Sequence, residues 1–224
     1  MLTGEVVPGH RLPTEMLLAS EFGVCRATVR EALRLLAAQG LIRTAKGATG
    51  GSFVTVPSTD HLSEALRSGL GLLAHVQHVT LEELLEAREL LEVPAARLAA
   101  QRRAEEDVER LRASIPRQPL RLGTREQFRL NRDFHSAVIE ACGNTLLSIA
   151  AQPIFEVLQT HLARSRLERR FHRAVNDHHR EIAAAIADGD ERAAGREMLE
   201  HLEFLRPYYE QVWRDATLRQ QRVS

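Results

Sequence analysis

What this chain lacks first is net charge: 30 lysines and arginines stand against 30 aspartates and glutamates in 224 residues. Nonspecific affinity for nucleic acid grows with the number of phosphate contacts, so the balance excludes a histone-like or indiscriminate binder. Any positive charge that matters must be local. Lysine is nearly missing, Lys46 being the only one, which coding bias explains before function does. Cysteine is scarce too: Cys25 and Cys142 fall in different expected domains and form no C-x-x-C pair. That excludes a disulfide framework and a cysteine-bound zinc site. No run approaches the roughly 18 apolar residues of a membrane span, and the start has no charged-then-apolar signal pattern, so a cytoplasmic protein with no membrane contact is expected. Length and a hydrophobic share of 44% suit two domains and a core of ordinary size.

What is present concentrates first between Gly9 and Val54. Leu12-Pro13-Thr14-Glu15 reads as a helix start: Pro13 halts the incoming chain, Thr14 caps, and Glu15 puts negative charge where the dipole favours it. Leu17, Leu18, Ala19 and Phe22 then give one apolar face, Gly23 ends the helix, and Val24 is expected as a buried spacer in the turn. A second helix is expected over 26–38, with Val29, Leu33 and Leu36 at core spacing. Arg26, Arg30 and Arg34 recur every four residues, so their guanidinium groups share one flank, with Thr28 beside them. Arginine's planar fork fits phosphate oxygens and the paired acceptors of guanine in the major groove. In isolation such a flank is more often a solvated charged face. Two short strands, 41–45 and 52–56, then enclose the loop Lys46-Gly47-Ala48-Thr49-Gly50-Gly51. They read as a wing whose small residues and Lys46 can press against phosphates or into the minor groove.

The order G-x-x-L-P-T-E, G-V-x-R-x-T-V-R-E-A-L, G-L-I, glycine-rich loop and F-V resembles the GntR family of bacterial winged-helix transcription factors. The resemblance implies that Cys25, Arg26, Ala27, Thr28 and Arg30 read bases at the start of the second helix and that Lys46 and Gly47 contribute from the wing. Arg11, Thr14 and Arg34 complete the expected DNA-binding set. Met16 stands where the family often has a basic residue, which removes one expected phosphate contact. Cys25, facing the DNA by position, is also a minor candidate for oxidation sensing. Family members usually begin with a further helix before this signal. With only Met1 to Pro8 ahead of it, that helix is expected to be truncated and to leave apolar surface of the small domain uncovered.

Pro57-Ser58-Thr59-Asp60 suggests a hinge, with Asp60 capping a helix that runs to about Leu73. Beyond it no strand pattern occurs. Helices are expected over 81–104, 104–114, 125–142, 146–164, 171–188 and 190–218, separated by Gly123, Gly143-Asn144 and Gly189-Asp190. Pro94 is expected to kink its helix without ending it, because apolar spacing continues into Leu98 and Ala99. The expected fold is mainly α. A winged helix-turn-helix domain occupies 1–57, a linker helix 58–74, and an all-α bundle of about six or seven helices 75–220.

The bundle carries a second constellation. Asn131 and His135 lie four apart and so project from one helix face, while His179 and His201 come from the last two helices. Three imidazoles converging in a bundle make a first-row metal site; by spacing alone, histidines are more often surface or hydrogen-bonded core groups. Asn131-Arg132-Asp133-Phe134-His135 resembles the D-x-x-F-H motif of FadR-like (FCD) effector domains, and Ala141-Cys142-Gly143-Asn144 resembles the A-S-G-N that follows it. The stretch from His179 to Asp190, then Met198 and His201, resembles H-x-x-I-x-x-A-I-x-x-G-D and M-x-x-H. The resemblance implies that Asn131, His135, His179 and His201 hold a divalent transition metal of zinc, nickel or manganese type. It selects His179 over His178 and leaves His75, His78, His161 and His172 ordinary.

Asn131 stands where the family has mostly aspartate. An amide oxygen coordinates without bringing charge, so weaker metal affinity and a more positive centre, suited to anionic effectors, are expected. Asp133 cannot substitute, because two residues along a helix turn it roughly 200° away. Arg88 matches an arginine that the family often turns into the pocket, where its fork grips an effector carboxylate. The residues alone allow equally an i,i+4 surface pair with Glu92.

The expectation is a DNA-binding regulator and not an enzyme. It is first of all a metabolite-relieved repressor that binds a near-palindromic operator as a homodimer and takes a small organic acid as effector. Two alternatives stand beside it. A metal-dependent hydrolase would use the histidines to activate water, but no H-E-x-x-H occurs and the matched oxygen ligand is an amide. A metal-free sensor would use them for packing or for the effector itself.

Overall fold

The computed structural model describes residues 7–47, 50–117, 124–162 and 168–221. Among them the chain forms α1 (Glu15–Phe22), α2 (Arg26–Ala38), β1 (Ile42–Ala45), β2 (Gly51–Val54), α3 (Thr59–His75), α4 (Leu81–Arg102), α5 (Glu105–Ser114), α6 (Thr124–Ala141), α7 (Thr145–Leu162), α8 (Arg169–Asp188) and α9 (Glu191–Gln221). The chain divides into two compact units, Met1–Leu62 and Ser63–Ser224.

In the first unit the Thr14 hydroxyl accepts from the Leu17 N–H at 3.3 Å and caps α1. Gly23 ends it at φ 64°, a left-handed conformation that glycine adopts without a Cβ penalty, and the Val24 N–H returns to the Ala19 carbonyl at 3.0 Å. β1 and β2 pair antiparallel from Ile42↔Val54 to Ala45↔Gly51. The wing residues Ala48 and Thr49 and the expected truncation at 1–6 lie outside the described residues.

Three packing expectations are corrected here. Val24 is 40% exposed instead of buried, Leu36 lies on the surface while Val29 alone of its trio is buried, and Ala19 is buried while Leu17 and Phe22 are exposed. The reason is size. A core built from Ala19, Val29, Ile42 and Val54 occupies one side of two short helices, and so small a unit cannot cover the rest.

The second unit is all helical among the described residues. A capping box opens α4: the Thr80 hydroxyl accepts from the Glu83 N–H at 3.2 Å, and the Glu83 carboxylate accepts from the Thr80 N–H at 2.8 Å. Pro94 lies within α4, which continues to Arg102. This helix is central and packs against α6, α7, α8 and α9. Its Ala95, Ala96, Ala99 and Ala100 are fully buried, and such small side chains let neighbouring helices approach closely. Gly123, expected between helices, lies outside the described residues. No helix among them is long and apolar enough to cross a membrane.

Two apolar clusters stabilise this unit. One gathers Ala96, Leu111, Phe134, Val138, Ile182 and Met198; the other gathers Leu84, Phe128, Leu158, Val175, Leu205 and Tyr209.

Candidate metal and effector centre

Four helices pass from one apolar cluster to the other, and each carries polar side chains at the crossing. In α4, Arg88 and Glu92 lie between Leu84 and Ala96; in α6, Asn131 and His135 lie between Phe128 and Val138. In α8, His179 lies between Val175 and Ile182; in α9, His201 lies between Met198 and Leu205. Steps of three and four keep all of these on inward faces. The result is a polar layer between two dry cores.

Arg88 is 2% and Glu92 1% exposed. Arg88 Nε donates to Glu92 Oε1 at 2.5 Å, and Nη1 donates to the Tyr209 hydroxyl at 3.0 Å. The guanidinium carbon also lies 5.0 Å from the centre of the Phe155 ring. Glu92 Oε2 is 2.7 Å from His135 Nδ1. An ionised carboxylate can only accept, so His135 carries its proton on Nδ1 and keeps a lone pair on Nε2.

That nitrogen lies 3.2 Å from His201 Nε2, and the candidate ligand atoms of His135, His179 and His201 all fall within 4.8 Å of one another. The His179 ring is stacked on Phe134 with centroids 3.9 Å apart. His178 is half-buried, its ring centre 5.7 Å from that of His201, and stands outside the trio. Asn131 Oδ1, His179 Nε2 and His201 Nδ1 are buried with no hydrogen-bond partner among the described residues. A buried polar atom left unpaired costs about 1–3 kcal/mol, so Asn131 Oδ1 and His179 Nε2 in one layer call for a ligand. Metal–nitrogen bonds of about 2.0–2.1 Å set tetrahedral nitrogens roughly 3.3 Å apart, close to the 3.2 Å separation of His135 and His201. The donor set fits a divalent transition ion.

Electrostatics prepare the same chemistry. Burial opposes the charge on Glu92, but Arg88 and His135 outweigh it and bring the carboxyl down to about 2. Burial lowers His135 against the pull of Glu92; it takes His179 and His201 well below the usual imidazole value, with the neighbouring histidines and Arg88 adding to the effect. Neutral imidazoles are what a metal requires.

Beside this trio, Asn131 lines a small cavity with Gln127 and His172. Gln127 Nε2 donates to Asn176 Oδ1 at 3.0 Å, while Gln127 Oε1 and Asn176 Nδ2 have no partner among the described residues. His172, expected to be ordinary, is half-buried at this wall. Asp133 turns outward as its spacing requires and accepts from Arg129 at 2.8 Å.

In the first unit Cys25, Arg26, Ala27, Thr28, Arg30, Arg34, Lys46 and Gly47 are all exposed. Arg30 donates to both oxygens of Glu15 at 3.2 and 2.9 Å, Arg26 lies 3.9 Å from the same carboxylate, and Arg34 pairs with Glu31 at 3.3 Å. Glu15 therefore gathers two of the three arginines. Thr14 and Arg11 are engaged within the unit, Thr14 as a cap and Arg11 through a 2.5 Å bond from Nη2 to the Gly50 carbonyl on the wing. The Cys25 thiol lies 3.2 Å from the Thr28 hydroxyl, and that bond, with backbone amides beside it, lowers its pKa.

Comparison with known families decides what carries these two sites. The FCD domain family matches residues 83–204, and the gntR family of bacterial regulatory proteins matches residues 1–54. The HTH-type transcriptional regulator LutR of Bacillus subtilis is 30% identical over 209 residues, which cover 89% of this chain and 91% of LutR. The chain belongs to the GntR family. Another relative of this GntR-family chain, the Uxu operon transcriptional regulator of Escherichia coli, is 32% identical over 214 residues, covering 88% of the chain and 77% of that protein. Among solved structures, Streptococcus agalactiae GntR matches with a TM-score of 0.59 and 24% identity, covering 92% of this chain and 93% of that one. E. coli McbR/YncC matches with a TM-score of 0.53 and 18% identity, covering 93% and 91%; both share the fold. The protein is a DNA-binding transcriptional regulator with an N-terminal GntR domain and an FCD effector domain, and these relatives are regulators, not enzymes.

Within the FCD domain, sequence reasoning missed Glu92, Tyr209, Gln127 and Asn176. Glu92 had a signal, its i,i+4 relation to Arg88, but the pair is a buried one and not the surface pair that this spacing usually makes. Tyr209 stands 121 residues from Arg88 and carried none.

Proposed function

We propose that this GntR-family regulator is a metabolite-relieved repressor whose FCD domain binds a small organic acid through a divalent transition metal and Arg88. It acts in the cytoplasm as a homodimer, with the exposed face of Arg26, Thr28, Arg30 and Arg34 and the wing at Lys46 and Gly47 set against a near-palindromic operator. His135, His179 and His201 supply three neutral nitrogens for the ion, and Asn131 supplies a neutral oxygen. When bound, the ion would offer a carboxylate a Lewis-acid partner. The observation that carries the reading is the fully buried imidazole trio beside a fully buried guanidinium.

Charge favours an anion there. Arg88 and Glu92 cancel each other and Asn131 brings none, so a divalent ion leaves the layer strongly positive inside a dry core. An acid that completes the charge binds with more than ordinary hydrogen-bond strength. The unpaired Gln127 Oε1 and Asn176 Nδ2 add one acceptor and one donor for polar groups on that acid. Control follows only if the acid prefers one arrangement of the helices over another, and a difference of a few kcal/mol suffices.

The test is a thermal-shift screen of carboxylic acids on dialysed protein, with and without chelator, joined to elemental analysis and operator gel shifts. The expected result is a bound transition metal, a chelator-sensitive stabilisation by one class of acid, and release of the operator by that class. Stabilisation that survives complete removal of metal overturns the metal-dependent reading.

A further inference from the structure

Arg88, on which the acid reading rests, has its bonding edge already taken. Nε is committed to Glu92 Oε1 at 2.5 Å and Nη1 to the Tyr209 hydroxyl at 3.0 Å, while Nη2 lies 3.3 Å from His135 Nε2. The other Glu92 oxygen holds His135 Nδ1 at 2.7 Å. Three of the five N–H donors of Arg88 are thus engaged, and a carboxylate from outside must compete with Glu92 for the Nε side of the cation. A cavity of about 80 Å³, lined by Leu85, Arg88, Glu89, Leu202, Glu203 and Arg206, nevertheless leads to Arg88. Buried ion pairs contribute little stability over well-packed apolar residues of similar volume. A carboxylate placed between an effector-gripping arginine and a histidine of the metal trio is therefore not explained by stability alone.

We propose that Glu92 is a built-in surrogate ligand: its carboxylate occupies the place between Arg88 and His135 that the carboxylate of an incoming acid takes, and effector binding is an exchange of one carboxylate for the other. The tethered group competes at an effective concentration of about millimolar or above, so it weakens every acid that binds here and rejects those with too few additional contacts. The exchange also frees the Glu92 side chain on α4, the helix that packs against α6, α7, α8 and α9. Occupancy by an acid thereby changes the central helix itself.

The experiment uses the full chain, chelated and without DNA, with sodium acetate as probe and sodium chloride at equal ionic strength as control. Glu92→Ala opens the place; Glu92→Gln fills it with an amide and serves as the folding control. The expected result is saturable acetate binding to Glu92→Ala by calorimetry and thermal shift, about tenfold or more tighter than to wild type, with no such gain in Glu92→Gln. If Glu92→Ala does not fold in chloride, restoration of cooperative melting by about 100 mM acetate is the supporting result. Acetate affinity in folded Glu92→Ala no greater than in wild type overturns the proposal, as does failure of acetate to restore an unfolded Glu92→Ala while Glu92→Gln folds. The probe needs neither metal nor operator. Acetate capture by Glu92→Ala with no acid acting on the wild-type repressor would leave the exchange standing and remove the effector reading; the reverse pattern would do the opposite.

Discussion

Replacing Arg88 by methionine tests the polar layer most directly, because it removes a charge while keeping an unbranched side chain of similar length. Glu92 would stay behind, 1% exposed, with His135 as its remaining partner. Two unit charges about 4 Å apart attract by roughly 4 kcal/mol at an effective dielectric of about 20, and breaking one side of a buried pair costs about 3–5 kcal/mol. For a unit of this size that is a fall of roughly 6–20 °C in melting temperature. The carboxyl at about 2 lies below its ordinary 4.5, so its contribution is complete above pH 4.5 and drains away as pH falls toward 2. Arg88→Met should shrink that plateau. Arg88→Met combined with Glu92→Leu should return to within about 2 kcal/mol of wild type, since no charge is then left unpaired. Urea denaturation of chelated protein, run as a double-mutant cycle at fixed salt, measures each corner. A loss below about 1 kcal/mol in Arg88→Met would mean that the pair behaves as an exposed one, and the reasoning would fail.

Other outcomes follow from single positions. Asn131→Asp adds an anionic donor and should tighten divalent metal binding by about tenfold or more in chelator competition; unchanged affinity would remove residue 131 from the ligand set. Arg30→Ala should weaken specific operator binding by about 1–3 kcal/mol in gel shifts at constant salt, because the exposed Glu15 pair that holds Arg30 is weak enough for DNA to displace. Gly189→Ala forces a side chain into φ 76° with its Cβ 2.9 Å from Arg103 Nη2, and should lower stability by about 1–2 kcal/mol. An unchanged melting temperature would deny that this turn needs glycine.

Much of the fold was readable because local chemistry and tertiary context agree. Thr14 and Gly23 sit at helix ends that need a cap or a left-handed residue, and α4 continues past Pro94 as its apolar spacing requires. The spacing that favours His179 over His178 is also the spacing that brings it to His135 and His201. What was hidden depends on distant partners. Arg88 and Glu92 look like a surface pair because an amphipathic helix normally has a polar face, yet the exposed face of α4 runs through Glu82, Glu86, Arg97 and Gln101, and Arg88 and Glu92 lie on the buried one. Val24 and Leu36 look like core residues because their spacing is right, but among the described residues of the first unit they stay exposed. Periodicity says which residues share a face, and only packing says whether that face is covered.

The position of the polar layer has a mechanical consequence. Because α4, α6, α8 and α9 each enter it from one apolar cluster and leave it into the other, a change of charge in the layer acts on four helices at once. Close-packed clusters resist gradual deformation, so a response to such a change is expected as a shift between discrete packings and not as bending. Arg88 Nη2 and the lone pair of His135 Nε2 lie 3.3 Å apart, which sets the guanidinium and any metal on that nitrogen in direct opposition. Glu92 balances one positive charge and not three. On the proposed function, an ion would raise the demand for an anion beside Arg88, and an acid placed there would relieve Arg88 and the metal together. On that same function, metal and acid would be coupled through the shared charge, each raising the affinity of the other by the same factor.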